Sequence, residues 1–180
     1  EKENEVLTAI VQRAENNGIF VELGKTDGFM ALTETIAGET YETSDRIKVY
    51  VLEVRKTNKG PQVMVSRTHP GLVKRLFELE VPEIQTGIVQ IKSIAREAGF
   101  RTKVAVYSSD PQVDAVGACV GQKGIRVERI VNELHNEKID IIEWDSDSAV
   151  YIAKSLSPAR VMMVYINEAE KAAKVIVPDN

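Results

Sequence analysis

The chain has 180 residues, 43% of them hydrophobic and 28% charged, the balance of a globular protein long enough for one large domain or two to three small ones. A net charge of −4 and a pI near 5.4 exclude a protein that coats nucleic acid by bulk charge, though not one with a local basic groove. A lone cysteine, Cys119, excludes an intramolecular disulfide and a cysteine-based metal cluster, and with only His69 and His135, far apart, no metal or cofactor is expected. No apolar run approaches the ~20 residues that span a bilayer and no secretory signal is visible, so the expectation is a cytoplasmic protein without membrane contact. The chain opens on Glu1 rather than methionine, which predicts a piece of something longer, and "EKEN" reads as a frayed, solvated end.

The first third reads as all-β. Strand-like runs occupy Val6–Ala14, Ile19–Leu23, Phe29–Leu32, Arg46–Lys56 and Gln62–Arg67, separated by the turn signals Asn16-Asn17-Gly18, Gly24–Gly28 and Thr57–Pro61 and by one longer loop, Ala37–Asp45. In the fourth run Ile47, Val49 and Val51 alternate, then the pattern slips at Leu52, which predicts a bulge. Five short strands in this length suit a closed barrel of the OB type, because closure removes exposed edges.

After Thr68–Gly71 the period changes. Leu72, Val73, Leu76 and Leu79 recur at helical spacing, and Pro82 ends the segment. Two strand candidates follow, Ile88–Ala95 and Thr102–Ser108. A helix opening on the Asp110-Pro111 pair runs to Val120. After Gly121–Gly124, Val127, Ile130, Val131 and Leu134 trace an amphipathic helix, and Lys138–Trp144 is a strand. This predicts an α+β unit with three strands and its helices on one face. The tail starts the pattern again, with a helix over Asp147–Leu156 and strands over Arg160–Ile166 and Lys171–Val177, but no glycine follows Gly124.

The stretch "GACVGQKGIRV" interrupts helix-compatible sequence with Gly121-Gln122-Lys123-Gly124. Glycine weakens a helix by up to ~1 kcal/mol relative to alanine, so the glycines must serve another need. Two glycines just before a helix let backbone approach a ligand closely, and the unpaired N–H groups at the helix start favour a phosphate. Lys123 and Arg126 add charge here. With Lys92, Arg96, Arg101, Lys103 and Arg129 they form a local basic bias against Glu97, Asp110, Asp114 and Glu128. A bare turn between two helices is the alternative, which the strand–strand–helix–loop–helix–strand context disfavours. "GIFVELGKT" mimics a nucleotide-binding P-loop, but it has five residues between its glycines instead of four and a strand lies between them, so ATP binding is rejected.

The runs "VDAVGACVGQKGIRVERIVNEL", "SRTHPGLVKRLFELEVPEI" and "LHNEKIDIIEW" strongly resemble the first KH domain of the NusA family of bacterial transcription factors, and the resemblance extends over nearly the whole chain. It implies a multidomain protein: an S1 (OB-fold) barrel over 1–67, a type II KH domain over 68–145, and the truncated start of a second KH domain over 146–180. It implies no catalysis. It also implies single-stranded RNA, the nascent transcript, as a partner and a role in pausing, termination and antitermination. RNA polymerase would be bound mainly through a domain missing from this chain, and other transcription factors are possible partners. Carried over onto this sequence, Gly121, Gln122, Lys123 and Gly124 are the KH loop that clamps the sugar-phosphate backbone, with Ile125 and residues of the Thr102–Ser108 strand along the groove; Arg126, Arg101 and Lys103, from the basic bias, are added as RNA candidates. For the S1 unit, Phe20 and Phe29 either stack bases or fill the barrel, and Arg67 is a further RNA candidate. A ribonuclease-type RNA-processing module is the competing reading, but the acidic residues are scattered among Lys and Arg rather than clustered. Cys119 is expected to be a buried structural thiol, His69 to cap or position the linker, and Trp144 to seal the junction with the next unit.

Overall fold

The structure, a computed structural model, describes residues 3–179; Glu1 and Lys2 of the expected frayed end lie outside the described residues. The described part of that end is not frayed. Asn4 donates its N–H to the Val51 carbonyl at 2.9 Å and accepts from the Tyr50 hydroxyl at 2.8 Å, while its own carbonyl accepts from Arg75.

All five barrel strands form: β1 (Val6–Glu15), β2 (Gly18–Glu22), β3 (Asp27–Ala31), β4 (Arg46–Thr57) and β5 (Gly60–Ser66). They close in the order β1-β2-β3-β5-β4, with β1 pairing β4 and β3 running parallel to β5. Alternation drives the interior, which holds Val11, Val21, Met30, Val49 and Val65 among its buried residues. The register slips between Val51 and Glu53, so the bulge falls at Leu52, where the alternation predicted it.

The second unit comprises α1 (Pro70–Glu80), α2 (Pro82–Gln85), β6 (Val89–Glu97), β7 (Arg101–Ser108), α3 (Ala115–Val120), α4 (Ile125–Glu133) and β8 (Lys138–Glu143). Its sheet order is β6-β7-β8, with β6 antiparallel and β8 parallel to β7. His69 caps α1 as expected, its Nδ1 accepting the Gly71 N–H at 2.9 Å, and Pro70 occupies the first turn, where a missing N–H costs nothing. The Asp110-Pro111 pair does not open α3. The Asp110 side chain accepts from the Gln112 N–H and its carbonyl from the Val113 N–H, closing a turn, and Asp114 is the N-cap instead. Leu72, Phe77, Val104, Val106, Cys119 and Ile130 are buried between the helices and one face of the sheet. Each such aliphatic or aromatic side chain contributes about 1.5–3 kcal/mol through burial.

Cys119 is fully buried, and burial pushes its thiol up to about 12. At pH 8 it is therefore expected to resist alkylation until the domain unfolds. Labelling by a maleimide across a denaturant titration checks this, with modification tracking the unfolding transition.

The two units share a core. Tyr50, with Val6 and Leu52 from the barrel, packs into the cluster around α1, and the Tyr50 ring stacks on His69 with centroids 4.4 Å apart. Beside this contact lies Arg67. Its side chain has no exposed surface and pairs with Glu39 through two nitrogens, with the Lys48 carbonyl at 2.9 Å and with the carbonyl and carboxylate of Glu133 at the end of α4. Burial works against the guanidinium charge, but the hydrogen bonds and charge of Glu39 outweigh it and hold the group more basic than usual. Glu133 also accepts the Lys48 N–H, and His135 lies 3.0 Å from Glu39. Arg96 and Glu137 form a second buried pair that ties β6 to the start of β8 and, through Arg96, to the His69 carbonyl.

The tail is ordered. α5 (Ser148–Ser155) is capped by Asp147, and β9 (Met163–Asn167) pairs antiparallel with β10 (Ala172–Ile176). Lys103 Nζ reaches the carbonyls of Ser155 at 2.8 Å and Ser157 at 2.5 Å. Strand alternation puts Lys103 on the sheet face opposite Val104 and Val106, so α5 docks on the side away from α1–α4. In this tail Ile152 is half-buried while Val150 and Met162 are exposed.

Candidate nucleic-acid interface

α3 stops at Gly121, whose φ of 77° and ψ of 171° belong to a region essentially reserved for glycine. A Cβ there would stand 2.7 Å from Cγ of Arg126. Gly124, left-handed at φ 78°, caps α4, and the space its Cβ would occupy is open. Backbone conformation thus demands both glycines, and the Arg126 stem adds a close approach at the first. Between them Gln122 and Lys123 form a 3₁₀ turn with Lys123 at φ 53°, and both side chains are exposed. Among the described residues the N–H groups of Gln122 and Lys123 have no protein acceptor. The loop therefore offers two free N–H donors, an unpaired ammonium and the start of α4, a set suited to a phosphodiester. Ile125, nearly half exposed, adds an apolar surface beside it.

β7 is central in the sheet and has no free edge. The edge next to α3 and α4 is β8, which pairs with β7 on one side only. The parallel β7–β8 pairing, made after the chain crosses through both helices, places it there.

The basic bias is mostly consumed internally. Arg101 pairs with Asp140 at 2.7 Å, and Lys103 holds α5; both sit on the sheet face away from the loop. Arg96 is buried on Glu137, Arg126 is bonded to Glu83, and Arg129 lies 3.2 Å from Glu80. Of the seven cations counted in the sequence, only Lys92 and Lys123 lack an ion pair among the described residues, and Lys92 lies over the Trp144 ring at 4.6 Å. Trp144 is half-buried and meets Tyr107 edge-on. Arg67, taken as an RNA candidate, is instead the inaccessible joint between the two units, buried on Glu39 and Glu133, which are remote in sequence.

On the barrel, Phe20 and Phe29 are a cross-strand pair with ring centroids 5.0 Å apart. Ile19, Val21 and Met30, their chain neighbours, point inward, so the two phenylalanines lie on the outer wall and do not fill the barrel. Gly18 leaves room for the Phe29 ring, since a Cβ there would be 2.6 Å from its Cζ. Arg13, which the sequence reading passed over, stacks 4.0 Å above Phe20. The second missed residue is Glu83, 43 positions from Arg126, and no local sequence signal announces that pairing.

Two family models divide most of the chain between them: the S1 RNA binding domain matches residues 1–66 and the NusA-like first KH domain matches residues 67–144. Over 179 residues the chain is 56% identical to proteins named transcription termination/antitermination protein NusA from Halalkalibacterium halodurans and from Bacillus subtilis, covering 99% of this chain and 47% and 48% of those proteins. The relative of that name from Thermus thermophilus is 47% identical over 98% of this chain and 46% of its own length. The chain spans about half the length of the curated relatives it matches. With a closed barrel where the S1 model lies and the glycine loop between helices where the KH model lies, the chain belongs to the NusA family.

Proposed function

We propose that this chain binds single-stranded RNA, with the Gly121–Gly124 loop on the sugar-phosphate backbone and the bases along the groove between α3, α4 and β8. The observation that carries the reading is the loop: exposed Gln122 and Lys123 with unpaired N–H groups, at the place where the KH family model matches. The names of the relatives support a place in transcription termination and antitermination, as a binding module rather than an enzyme, acting on the nascent transcript in the cytoplasm and in contact with RNA polymerase through parts outside this chain. We further read residues 1–67, 68–145 and 146–180 as three units, the last the beginning of a second KH unit, since α5, β9 and β10 repeat the helix–strand–strand order that opens the first.

The test is titration with a short single strand, the matching duplex, and a salt series. Single strands are expected to bind better than duplex, because a KH groove needs splayed bases. With Lys123 the one unpaired cation at the loop among the described residues, the slope of log K against log[salt] should be shallow, about −0.7 per phosphate contacted. Equal affinity for duplex overturns the reading. On the barrel, Phe20→Ala or Phe29→Ala is expected to lower affinity by about 1–3 kcal/mol if a base stacks on the ring. Thermal melting should fall less than for Val21→Ala, whose side chain fills the barrel. Unchanged binding in both phenylalanine variants would confine the RNA to the KH unit.

A further inference from the structure

Arg126 stands two residues beyond the glycine loop, and charge alone would assign it to the RNA. Its contacts point inward. Nη1 donates to the carbonyl of Ala118 at 2.6 Å and to Oε2 of Glu83 at 2.9 Å. The Ala118 carbonyl is one of the acceptors that α3 leaves unpaired when it stops at Gly121, since the N–H that would continue the helix is turned away by the glycine. The aliphatic stem of Arg126 lies against Gly121, close enough that no Cβ fits between them. A cation at the carbonyl end of α3 also sits where the helix dipole favours it. Glu83 belongs to α2, so one guanidinium joins three elements: the helix before the loop, the helix after it, and α2.

We infer that the Glu83–Arg126 pair is a positioning device that holds the glycine loop in its RNA-binding shape, and that Arg126 is not a phosphate ligand. The inference rests on the loop being the RNA site. Arginine suits the task because the two N–H bonds of Nη1 are fixed in the guanidinium plane, one on a carbonyl and one on a carboxylate, whereas the freely rotating ammonium of a more flexible lysine stem does not hold both directions. Freed from the brace, the Ala118 carbonyl turns to water and the left-handed turn at Lys123 and Gly124 loses its anchor. The N–H groups of Gln122 and Lys123 then no longer converge at a fixed spot, and the RNA must order them on binding. The outer pair Arg129–Glu80, with Arg129 well exposed, runs parallel to this one and contributes little.

The experiment uses the chain as described, with a short single-stranded RNA, and four variants: Glu83→Gln, Arg126→Lys, Arg126→Ala, and Gln122→Asp combined with Lys123→Asp. Affinity is measured across a salt series, and amide NMR shifts are recorded without RNA. Glu83→Gln and Arg126→Lys are each expected to weaken binding about tenfold, equivalent to about 1.4 kcal/mol. The salt slope should keep its wild-type value in all single variants, because no phosphate contact is lost. The Gly121 and Gly124 amides should shift in the RNA-free protein while barrel amides stay in place. A positioning role is overturned if Glu83→Gln tightens binding, for then Glu83 withholds Arg126 from the RNA. It is overturned equally if Arg126→Ala makes the slope shallower by about 0.7, the mark of a lost phosphate contact, or if Arg126→Lys binds as wild type. The aspartate pair separates this from the underlying reading. If it leaves RNA binding intact, the loop is not the RNA site at all, whatever the brace does.

Discussion

Replacing Gln122 and Lys123 together with aspartate is expected to lower affinity for single-stranded RNA about a hundredfold. The two substitutions make the loop three charges more negative. At contact distance in water each unit is worth about 1 kcal/mol, so the total approaches about 3 kcal/mol. Stability should scarcely move. Both side chains are exposed and have no protein partner among the described residues. The positive φ at Lys123 suits aspartate, one of the residues that enter the left-handed region without much strain. The melting temperature should stay within about 2 °C of wild type. Binding that survives unchanged would mean that the loop only turns the chain.

The second large effect is at the joint. Arg67→Met is expected to cost about 3–5 kcal/mol in stability, because it strands the Glu39 carboxylate, 3% exposed, with the Tyr41 hydroxyl and the His135 ring its remaining partners among the described residues. It also leaves the Glu133 and Lys48 carbonyls without their donor. The Tyr41 phenol is itself pushed up, by burial first and then by its bond to Glu39, so it remains a neutral donor. Chemical denaturation checks the size of the effect, and one unfolding transition should separate into two as barrel and KH unit lose their coupling. Substituting both partners, Arg67→Met with Glu39→Met, should recover much of the loss, because breaking a buried pair costs more than replacing it. A loss below about 1 kcal/mol in the single variant would reduce the pair to the value of a surface salt bridge. The joint should not loosen with pH through Arg67. A raised folded-state pKa gives stability that is present below the unfolded value and lost as pH rises through the folded one, and for this guanidinium both lie far above neutrality.

The barrel was legible because its information is local. Turn residues punctuate it, alternation marks its inner wall, and the slip at Leu52 lies where the register shifts. The same alternation, applied to Phe20 between Ile19 and Val21, already places that ring outside. The glycine loop was legible because two positive-φ glycines leave a sequence mark. What could not be read is pairing over distance. Arg67, Arg101, Lys103 and Arg126 count as free cations in a linear tally, yet their partners Glu39, Asp140, Ser155 and Glu83 come from other elements. The strand order was unreadable for a related reason: only the parallel crossover decides that β7 is interior and β8 is the edge.

The stack of Tyr50 on His69 and the Arg67 network beside it clamp the barrel to the KH unit at two neighbouring points. Two binding surfaces on a flexible tether accept any sufficiently long strand, and their gain falls smoothly as the intervening strand lengthens. Two surfaces on one stiff body act as a gauge. A strand that reaches both the Phe20–Phe29 wall and the Gly121–Gly124 loop must bridge a set distance, so a nucleotide too few goes unreached and surplus ones must bulge out. On the RNA-binding reading proposed above, the spacing between contacted bases would then count alongside their identity.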